Sequence, residues 1–493
     1  MTEESASSEL NKRKWPVFLG PLIFLIFSQL PSPDPFYPLL MTMAGITIWV
    51  ALWWLTEAVH IAVTSFIPFI FLPSTGIADI KVISAQYMDP ILFLFIGGFL
   101  LAFAIERWGL HRRLALKILS STGNTTSSVL GGIMLTSYLI SMWISNTATV
   151  MMLISAVLAV IHHLKTHLRN EEQHRKISSA LLIGLAYSAS IGGMATLVGT
   201  PTNMIFFRVY NEHFGQAAPV TFTSWMIFAF PISILLLLFT WLILKFFILK
   251  KLSSIPFERS HFFGQYKMLG RWSKDEKIVA FVFILTALLW FTRADIELGT
   301  YYIKGWASLF SYPQQIQDST VAVTMALLLF LIPSQTEPGR NLLTWNEASK
   351  LPYEILLLFG SGFALAKGFE TSGLSNWLAQ NLHSLKEVPL IFLILIVCAI
   401  VTIISEFASN VASIQLVLPV LISLLGAIHC SPQMLLIPAA LAASLGFMLP
   451  VATAPNTIVF SSGHIRVREM AIAGILVDIM GILLIAGFSY FFK

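Results

Sequence analysis

Apolar runs recur from one end of the chain to the other, divided by short polar segments. Among them are "VFLGPLIFLIFSQL", "WMIFAFPISILLLLFTWLILKFFIL", "VAVTMALLLFLI" and "MAIAGILVDIMGILLIAGFSYFF". A helix that crosses the hydrocarbon core needs about 20 mostly apolar residues. The pattern therefore predicts an all-α polytopic membrane protein. Spans are expected over 17–31, 38–56, 58–74, 90–106, 223–249, 277–292, 319–333, 353–370 and 471–490. Two longer regions, 123–208 and 386–460, are apolar but interrupted. Within them stand "ISNTATVMML" (144–153) and "ASNVASIQLV" (408–417), polar clusters where a continuous span would have none.

Composition strengthens this reading. Of the 493 residues 56% are hydrophobic and 11% charged, against roughly 25% charged in a globular domain. The net charge of +5 would suit a nucleic-acid partner, but its distribution explains it otherwise. With Lys12, Arg13 and Lys14 placed in the cytoplasm, crossing by crossing the other basic loops fall on the same side. These include Arg107, Arg112, Arg113 and Lys117, then Arg175 and Lys176, the cluster between Lys245 and Lys277, and Arg466 with Arg468. That asymmetry is the positive-inside rule; it orients the chain and calls for no nucleic acid. The polar start lacks a small-residue cleavage site, so 17–31 is expected to stay as a first helix. Cys398 and Cys430 lie in apolar surroundings and are expected to be free thiols. His429 beside Cys430 has no further ligands for a metal.

The crossing count closes only if 123–163 enters and leaves from the inner side and 386–427 from the outer side. Each is then a re-entrant hairpin, whose irregular backbone must be buried in protein or line a wet cavity. A repeat supports this. "ILFLFIGGFLLAFAIERWGLHRRLALKILS" (91–120) aligns without a gap on "ILLLFGSGFALAKGFETSGLSNWLAQNLHS" (355–384). The same register carries Gly98 to Gly362, Glu106 to Glu370, Ser141 to Ser405 and Ser145-Asn146 to Ser409-Asn410. After each hairpin comes a further pair, "GTPTNMIFF" (199–207) and "ATAPNTIVF" (452–460). Proline in an apolar run is where a helix unwinds. Inverted repeats with broken helices are the architecture of secondary transporters.

The chemistry of the tips is that of hard neutral oxygens. Ser141, Ser145, the Asn146 amide and carbonyls near Gly199 form one set. Ser405, Asn410 and carbonyls near Ala408 and Ala452 form the other. Uncharged oxygen donors suit Na⁺. Between the sets, the amides, Thr147, Thr200, Thr453 and helix N-termini can hold an anion. Such polar residues also mediate ordinary helix packing in membranes; their pairing is what favours a site. Glu406 is an intramembrane carboxylate, functional by default, although its repeat partner is Met142, which leaves a one-sided structural or gating role equally open. Glu106 and Glu370 lie near helix ends and are read as solvated there; Glu57 and His60 are read as structural.

These residues carry a resemblance to the divalent anion/Na⁺ symporter family over nearly the whole chain. "WWLTEAVHIAVTSFIPFIFLP" (53–73) is similar to the family's Trp-Trp-Leu-Thr-Glu-Ala segment, with His60 where proline is common. "LPYEILLLFGSGFALAKGFETSGLS" (351–375), "SMWISNTATVMML", "SEFASNVASIQLVLPVL", "GTPTN" and "ATAPN" match its other motifs. The resemblance implies a first Na⁺ site from Ser141, Ser145, Asn146 and Gly199. A second would use Ser405, Ala408, Asn410 and Ala452, the two alanines through backbone carbonyls. Substrate would meet Asn146, Thr147, Thr200, Asn410 and Thr453. It also implies a homodimer with scaffold and transport domains moving as an elevator. Val411 replaces the second motif's threonine, and Ala454 stands where proline is usual.

The expected organisation is a cytoplasmic tail (1–16), first-repeat scaffold helices (17–122) and a first transport half (123–208). Second-repeat scaffold helices (209–385) follow, with a basic loop near 251–277, and then a second transport half (386–493). That makes about 11 transmembrane helices and two re-entrant hairpins. The expected function is Na⁺-coupled symport of C4-dicarboxylates such as succinate, malate or fumarate, in a bacterial inner membrane among lipid, with the C-terminus outside. The rivals are Na⁺-independent dicarboxylate exchange and Na⁺-coupled sulfate or citrate transport. An enzyme is not expected, because neither repeated motif holds a histidine or a nucleophile with its base.

Overall fold

The computed structural model describes residues 15–491 apart from 124, 168–169, 217–218, 251, 253–259, 299–300 and 429. Lys12, Arg13, Lys14, Arg169, most of the 1–16 tail, part of the basic loop and His429 lie outside the described residues. From the N-terminus come α1 (Trp15–Gln29), α2 (Leu40–Thr56), α3 (Ile61–Thr64), α4 (Phe66–Ser74) and α5 (Ile80–Gln86). α6 (Pro90–Arg107) and α7 (Leu110–Ser121) lead into a helical hairpin, α8 (Thr126–Ser141) and α9 (Asn146–His167). α10 (Glu171–Met194) and α11 (Pro201–Phe214) flank a break, and α12 (Phe222–Ile243) and α13 (Ser260–Met268) follow.

The second half opens with α14 (Lys274–Arg293), a two-stranded ribbon of β1 (Ile296–Leu298) and β2 (Tyr301–Ile303), α15 (Asp318–Leu331) and α16 (Trp345–Ala348). It then repeats the first. α17 (Tyr353–Thr371) and α18 (Leu374–Asn381) correspond to α6 and α7. A hairpin of α19 (Leu390–Phe407) and α20 (Asn410–Ala427) follows, then the broken pair α21 (Gln433–Ala442) and α22 (Ala454–Ser461), and last α23 (Val467–Phe491). The register of the sequence repeat is preserved in the backbone. Thr126 and Leu390 begin the two hairpins, Asn146 and Asn410 begin their second arms, and Pro201 and Ala454 begin the helices after each break. Gly109 (φ 69°) and Gly373 (φ 75°) make the same turn into α7 and α18. That left-handed conformation is one only glycine adopts without strain.

Among the described residues six helices are long and apolar enough to cross a membrane, including Glu171–Met194, Leu390–Phe407, Asn410–Ala427 and Val467–Phe491. Shorter apolar helices of 10–17 residues, such as Thr126–Ser141 and Gln433–Ala442, fill the rest of the bundle. They are short because hairpins and breaks interrupt them. The apolar surface is accordingly large, with Phe18, Phe246, Phe281 and Phe407 each more than half exposed, as suits a lipid-facing side.

The chain divides into two compact units, neither continuous in sequence. One takes the residues up to Asp89, Pro352–Ala443 and the end from Ser489; the other takes Pro90–Leu351 and Ser444–Phe488. In the first unit Met43, Ile46, Trp49 and Val50 of α2 pack with Leu72 of α4 and Leu358, Leu365 and Phe369 of α17. The Trp-Trp motif supplies the aromatic part: Trp49 meets Trp53 and Phe71 edge to face at 5.3 and 4.9 Å, the favoured ring geometry. His60 accepts a bond from the Ala62 N–H and so starts α3. Glu57 ends α2 in a left-handed conformation. Both stand at helix ends.

In the second unit charges are consumed at helix ends. Arg113 grips Glu276 at 3.0 Å and donates to the Gly270 carbonyl at 2.9 Å. Asp275 accepts from Ser334 Oγ at 2.7 Å and from the Gln335 N–H at 2.8 Å. Arg107 pairs with Glu337 at 2.7 Å, and Arg340 with Glu347 at 2.6 Å. Together they tie the ends of α6, α7 and α14 to the loop before α16.

Candidate functional site

The first tip is built where α8 stops and α9 starts. Ser145 occupies the N-cap position and its Oγ accepts from the Ala148 N–H at 3.3 Å, so the helix is launched with Asn146 in its first turn. Ser141, fully buried at the end of α8, donates to Asn146 Oδ1 at 2.7 Å. A side chain on Gly193 would collide with that same amide, and one on Gly199 would overlap the Gly193 carbonyl. The break between α10 and α11 is thereby pressed against the tip. Ser141, Asn146, Gly193 and Gly199 form one cluster; of the first cation set expected from sequence, Ser145 stands beside them as the helix cap.

Three side chains that sequence reasoning left without a role hold this cluster. Thr196 donates to the Met142 carbonyl and accepts from the Gly199 N–H. Asn203 turns its Nδ2 onto the carbonyls of Gly193 and Thr196 at 3.0 and 2.7 Å. These are carbonyls that a broken helix leaves without an intrahelical donor. Trp225 Nε1 donates to the Met194 carbonyl at 3.2 Å. In the sequence Asn203 served only to align the two broken-helix motifs, and Gly193 and Thr196 carried no signal.

Around Thr200 the same unit gathers more hydroxyls. Thr202 Oγ1 lies 3.3 Å from Thr200 Oγ1 and 3.1 Å from Ser444 Oγ. Thr200 is the N-cap of α11 but makes no capping bond with its side chain, which leaves the first N–H groups of that helix to other partners. α9 also packs against α22 within this unit. Thr453 is the N-cap of α22 and accepts from the Asn456 N–H at 3.3 Å. Asn456 then donates to the carbonyls of Gly446 and Leu449 at 3.0 and 3.1 Å. These are the repeat partners of Gly193 and Thr196, so the two breaks are latched in the same way. Ala452 and Thr453 are buried, and Thr147 is half-buried on the first turn of α9.

The second tip lies in the other unit. Ser405 Oγ faces Asn410 Oδ1 at 2.8 Å and the Ala443 carbonyl at 2.6 Å. Ser409 repeats the capping role of Ser145, accepting from the Ala412 N–H at 3.2 Å. Ala408 is buried, and Glu406 is 3% exposed on α19. Gln415 Nε2 donates to the Leu358 carbonyl at 2.7 Å, fixing α20 on α17. Ser405, Ala408 and Asn410 are thus brought together; Ala452 belongs to the other unit. Glu370 is paired with Lys367 at 2.7 Å and solvent-exposed, as expected of a helix end. Both cysteines are free.

Chemically, each tip offers hydroxyl, amide and carbonyl oxygens with no formal charge. Neutral oxygen donors of this kind suit a hard monovalent cation better than zinc or calcium. The starts of α9, α11 and α20 carry the positive end of the helix dipole, and an anion is stabilised there.

Known proteins resemble this chain along nearly its whole length. Residues 11–492 match the family described as the sodium:sulfate symporter transmembrane region. A protein of Staphylococcus saprophyticus named sodium-dependent dicarboxylate transporter SdcS is 37% identical over 96% of this chain and 90% of its own. Its namesake in Staphylococcus aureus is 38% identical with the same coverage. Two solved structures share the fold. Neisseria gonorrhoeae MtrF has a TM-score of 0.56 at 12% identity, covering 97% of this chain and 96% of that one. The Alcanivorax borkumensis YdaH transporter has a TM-score of 0.54 at 13% identity, covering 97% of each. With a family match from end to end and relatives above a third identical, this chain is an integral membrane transporter of the sodium:sulfate symporter family.

Proposed function

We propose that this protein is a secondary active transporter in which Na⁺ drives the uptake of a C4-dicarboxylate such as succinate, malate or fumarate. The observation that carries it is the repeated Ser–Asn tip, two uncharged oxygen cradles that hold no lysine or arginine. Relatives named as sodium-dependent dicarboxylate transporters support the choice of cation and substrate. Ser141, Ser145, Asn146 and the Gly199 carbonyl take the first Na⁺. Ser405, Asn410 and the carbonyls of Ala408 and Ala452 take the second. The dicarboxylate meets Asn146, Thr147, Thr200, Asn410 and Thr453 at helix N-termini.

Na⁺ orders the tips, and the ordered tips present amide N–H groups and hydroxyls to the anion. Cotransport needs the two binding events to stabilise one another. The scaffold and transport segments drawn from the sequence then move as an elevator in a homodimer, with the N-terminus cytoplasmic, the C-terminus outside and the inverted repeat giving the inward and outward states. A bacterial plasma membrane is the matching location. More than two Na⁺ per dianion makes uptake electrogenic, worth about 2.3 kcal/mol per net charge at 100 mV.

Radiolabelled succinate uptake into proteoliposomes tests this, with inward Na⁺ or choline gradients and vesicles empty or preloaded. Na⁺-dependent uptake into empty vesicles, lost in Asn146→Ala and Asn410→Ala, is the expected result. Uptake confined to preloaded vesicles and indifferent to Na⁺ would make the protein an exchanger. Competition by excess sulfate, with no competition by malate, would replace the substrate and leave the cation sites standing.

A further inference from the structure

A groove of about 220 Å³ runs between α7, α9 and α13, all in the second unit. Its wall is mostly apolar, with Ala115, Leu116 and Leu119 from α7 and Leu153 and Ala156 from α9, and Ser155 of α9 adds a hydroxyl. One cation interrupts it. Arg112 stands three, four and seven residues before those three α7 side chains, so it lies on their face of the helix. A smaller apolar cavity shares Leu119, Leu153 and Ala156 and continues the wall inward to Ile133 of α8.

We propose that this groove is a binding site for one anionic phospholipid, its phosphate on Arg112 and an acyl chain along the α7–α9 wall. Arg112 is exposed and makes no hydrogen bond or ion pair among the described residues. Its neighbour Arg113 shows the contrast, being buried and saturated by Glu276. Among the described residues, the acids at the start of α14 are engaged: Glu276 by Arg113, and Asp275 by Ser334 and the Gln335 N–H. Glu106, at the end of α6, is an exposed acid among the described residues. Gln265 of α13 adds an amide to the lining. A free arginine at the head of an apolar groove complements a lipid's charged head and oily tail. A soluble anion would leave the apolar wall uncovered.

Nearby side chains place this region at a membrane interface. Phe263 and Trp272 are 50% and 41% exposed, and Lys267 lies 4.5 Å from the Phe263 ring centre. Aromatic residues beside basic ones are the usual markers of headgroup depth. A lipid here would be wedged between the amphipathic α7 and the second arm of the first hairpin. The site stands whether or not the transported substrate is a dicarboxylate.

The test is lipid retention, which needs no transport. The full-length protein is reconstituted in nanodiscs of mixed phosphatidylglycerol and phosphatidylcholine, extracted, and its retained lipid counted by native mass spectrometry. Wild type should retain phosphatidylglycerol over phosphatidylcholine. Arg112→Gln should lower that preference about five-fold, the value of one basic side chain near an anionic surface. Arg112→Lys should keep most of it, and Ala156→Trp, which fills the groove, should lower retention of both lipids. Arg112→Gln is at an exposed position and decides the matter if Ala156→Trp does not fold. Equal retention of the two lipids by wild type overturns the proposal. So does an equal loss of preference in Arg112→Gln and in Lys277→Gln, an exposed cation outside the groove, because diffuse surface charge would then suffice.

Discussion

In the first tip Ser141 has a single acceptor, Asn146 Oδ1; in the second, Ser405 faces both Asn410 Oδ1 and the Ala443 carbonyl. A serine has one hydroxyl proton to give. Ser405 can pass its proton to Ala443 and turn lone pairs, its own and those of Asn410, toward a cation. Ser141 has no second acceptor among the described residues, so a cation at Asn146 must displace the bond that orders the tip. Two identical dipeptides therefore differ in readiness, and the difference comes from what packs behind them. The breaks differ as well. Gly199 sits against Gly193 so closely that no side chain fits, whereas its repeat partner is Ala452, which already carries one.

The sharpest test of that contrast is to exchange the small residues. Gly199→Ala should abolish Na⁺-driven uptake, since the methyl group must push apart two buried backbone segments, overpacking that typically costs about 1–3 kcal/mol. Ala452→Gly should retain activity within a few-fold. Equal damage by both would mean that the breaks are equally tight in use. Next in size is the serine pair. Ser405→Ala removes a ligand and leaves the Ala443 carbonyl unpaired, so the half-saturating Na⁺ concentration should rise about ten-fold. Ser141→Ala also removes a ligand but releases Asn146, and a rise of about three-fold is expected. The reverse order in Na⁺ titrations of uptake would refute the account of the shared proton.

Thr196→Val probes a tie with no twin, because the corresponding residue is Leu449. Losing the bonds to Met142 and from Gly199 should lower stability by about 2 kcal/mol, read as a lower midpoint in thermal unfolding, with Na⁺ protecting less than in wild type. The smallest effect is expected from Val411→Thr. It restores the hydroxyl that Thr147 has in the first tip, and should tighten half-saturation by succinate two- to three-fold at most. A change in Na⁺ dependence instead would place residue 411 with the cation.

The hairpins, their tips and the helix breaks were legible in the sequence because serine caps, prolines and glycines act locally. Asn146 and Asn410 begin helices where the repeat predicted a turn, and the resemblance of the whole chain to one family was carried by those same motifs. Other features depend on the third dimension. Ser145 was read as a cation ligand, and the structure shows its hydroxyl, like that of Ser409 in the second tip, capping a helix. Gly193 and Thr196 carry no motif; their importance arises from the close approach of α10 to a tip about fifty residues earlier. Asn203 and Asn456 marked the alignment, but which carbonyls they would hold depended on how each helix unwinds. The ribbon of β1 and β2 was missed because three-residue strands leave little periodicity, and the pairing of Arg113 with Glu276 joins residues that no local pattern connects.

The latch of each broken helix has a consequence for durability. Asn203 and Asn456 are both fully buried, each holding carbonyls through a single amide nitrogen. Asparagine is one of the thermolabile residues that heat-adapted proteins shed. Here it is hard to shed. Leucine or alanine would leave the carbonyls bare, and aspartate, whether introduced by mutation or left by hydrolysis of the amide with age, sets an oxygen anion against them. A buried charge without a partner costs several kcal/mol, so an aspartate at either position would open the latch of its broken helix. Replacing either amide by a carboxylate should therefore cost more than truncating it to alanine, which only leaves the carbonyls bare.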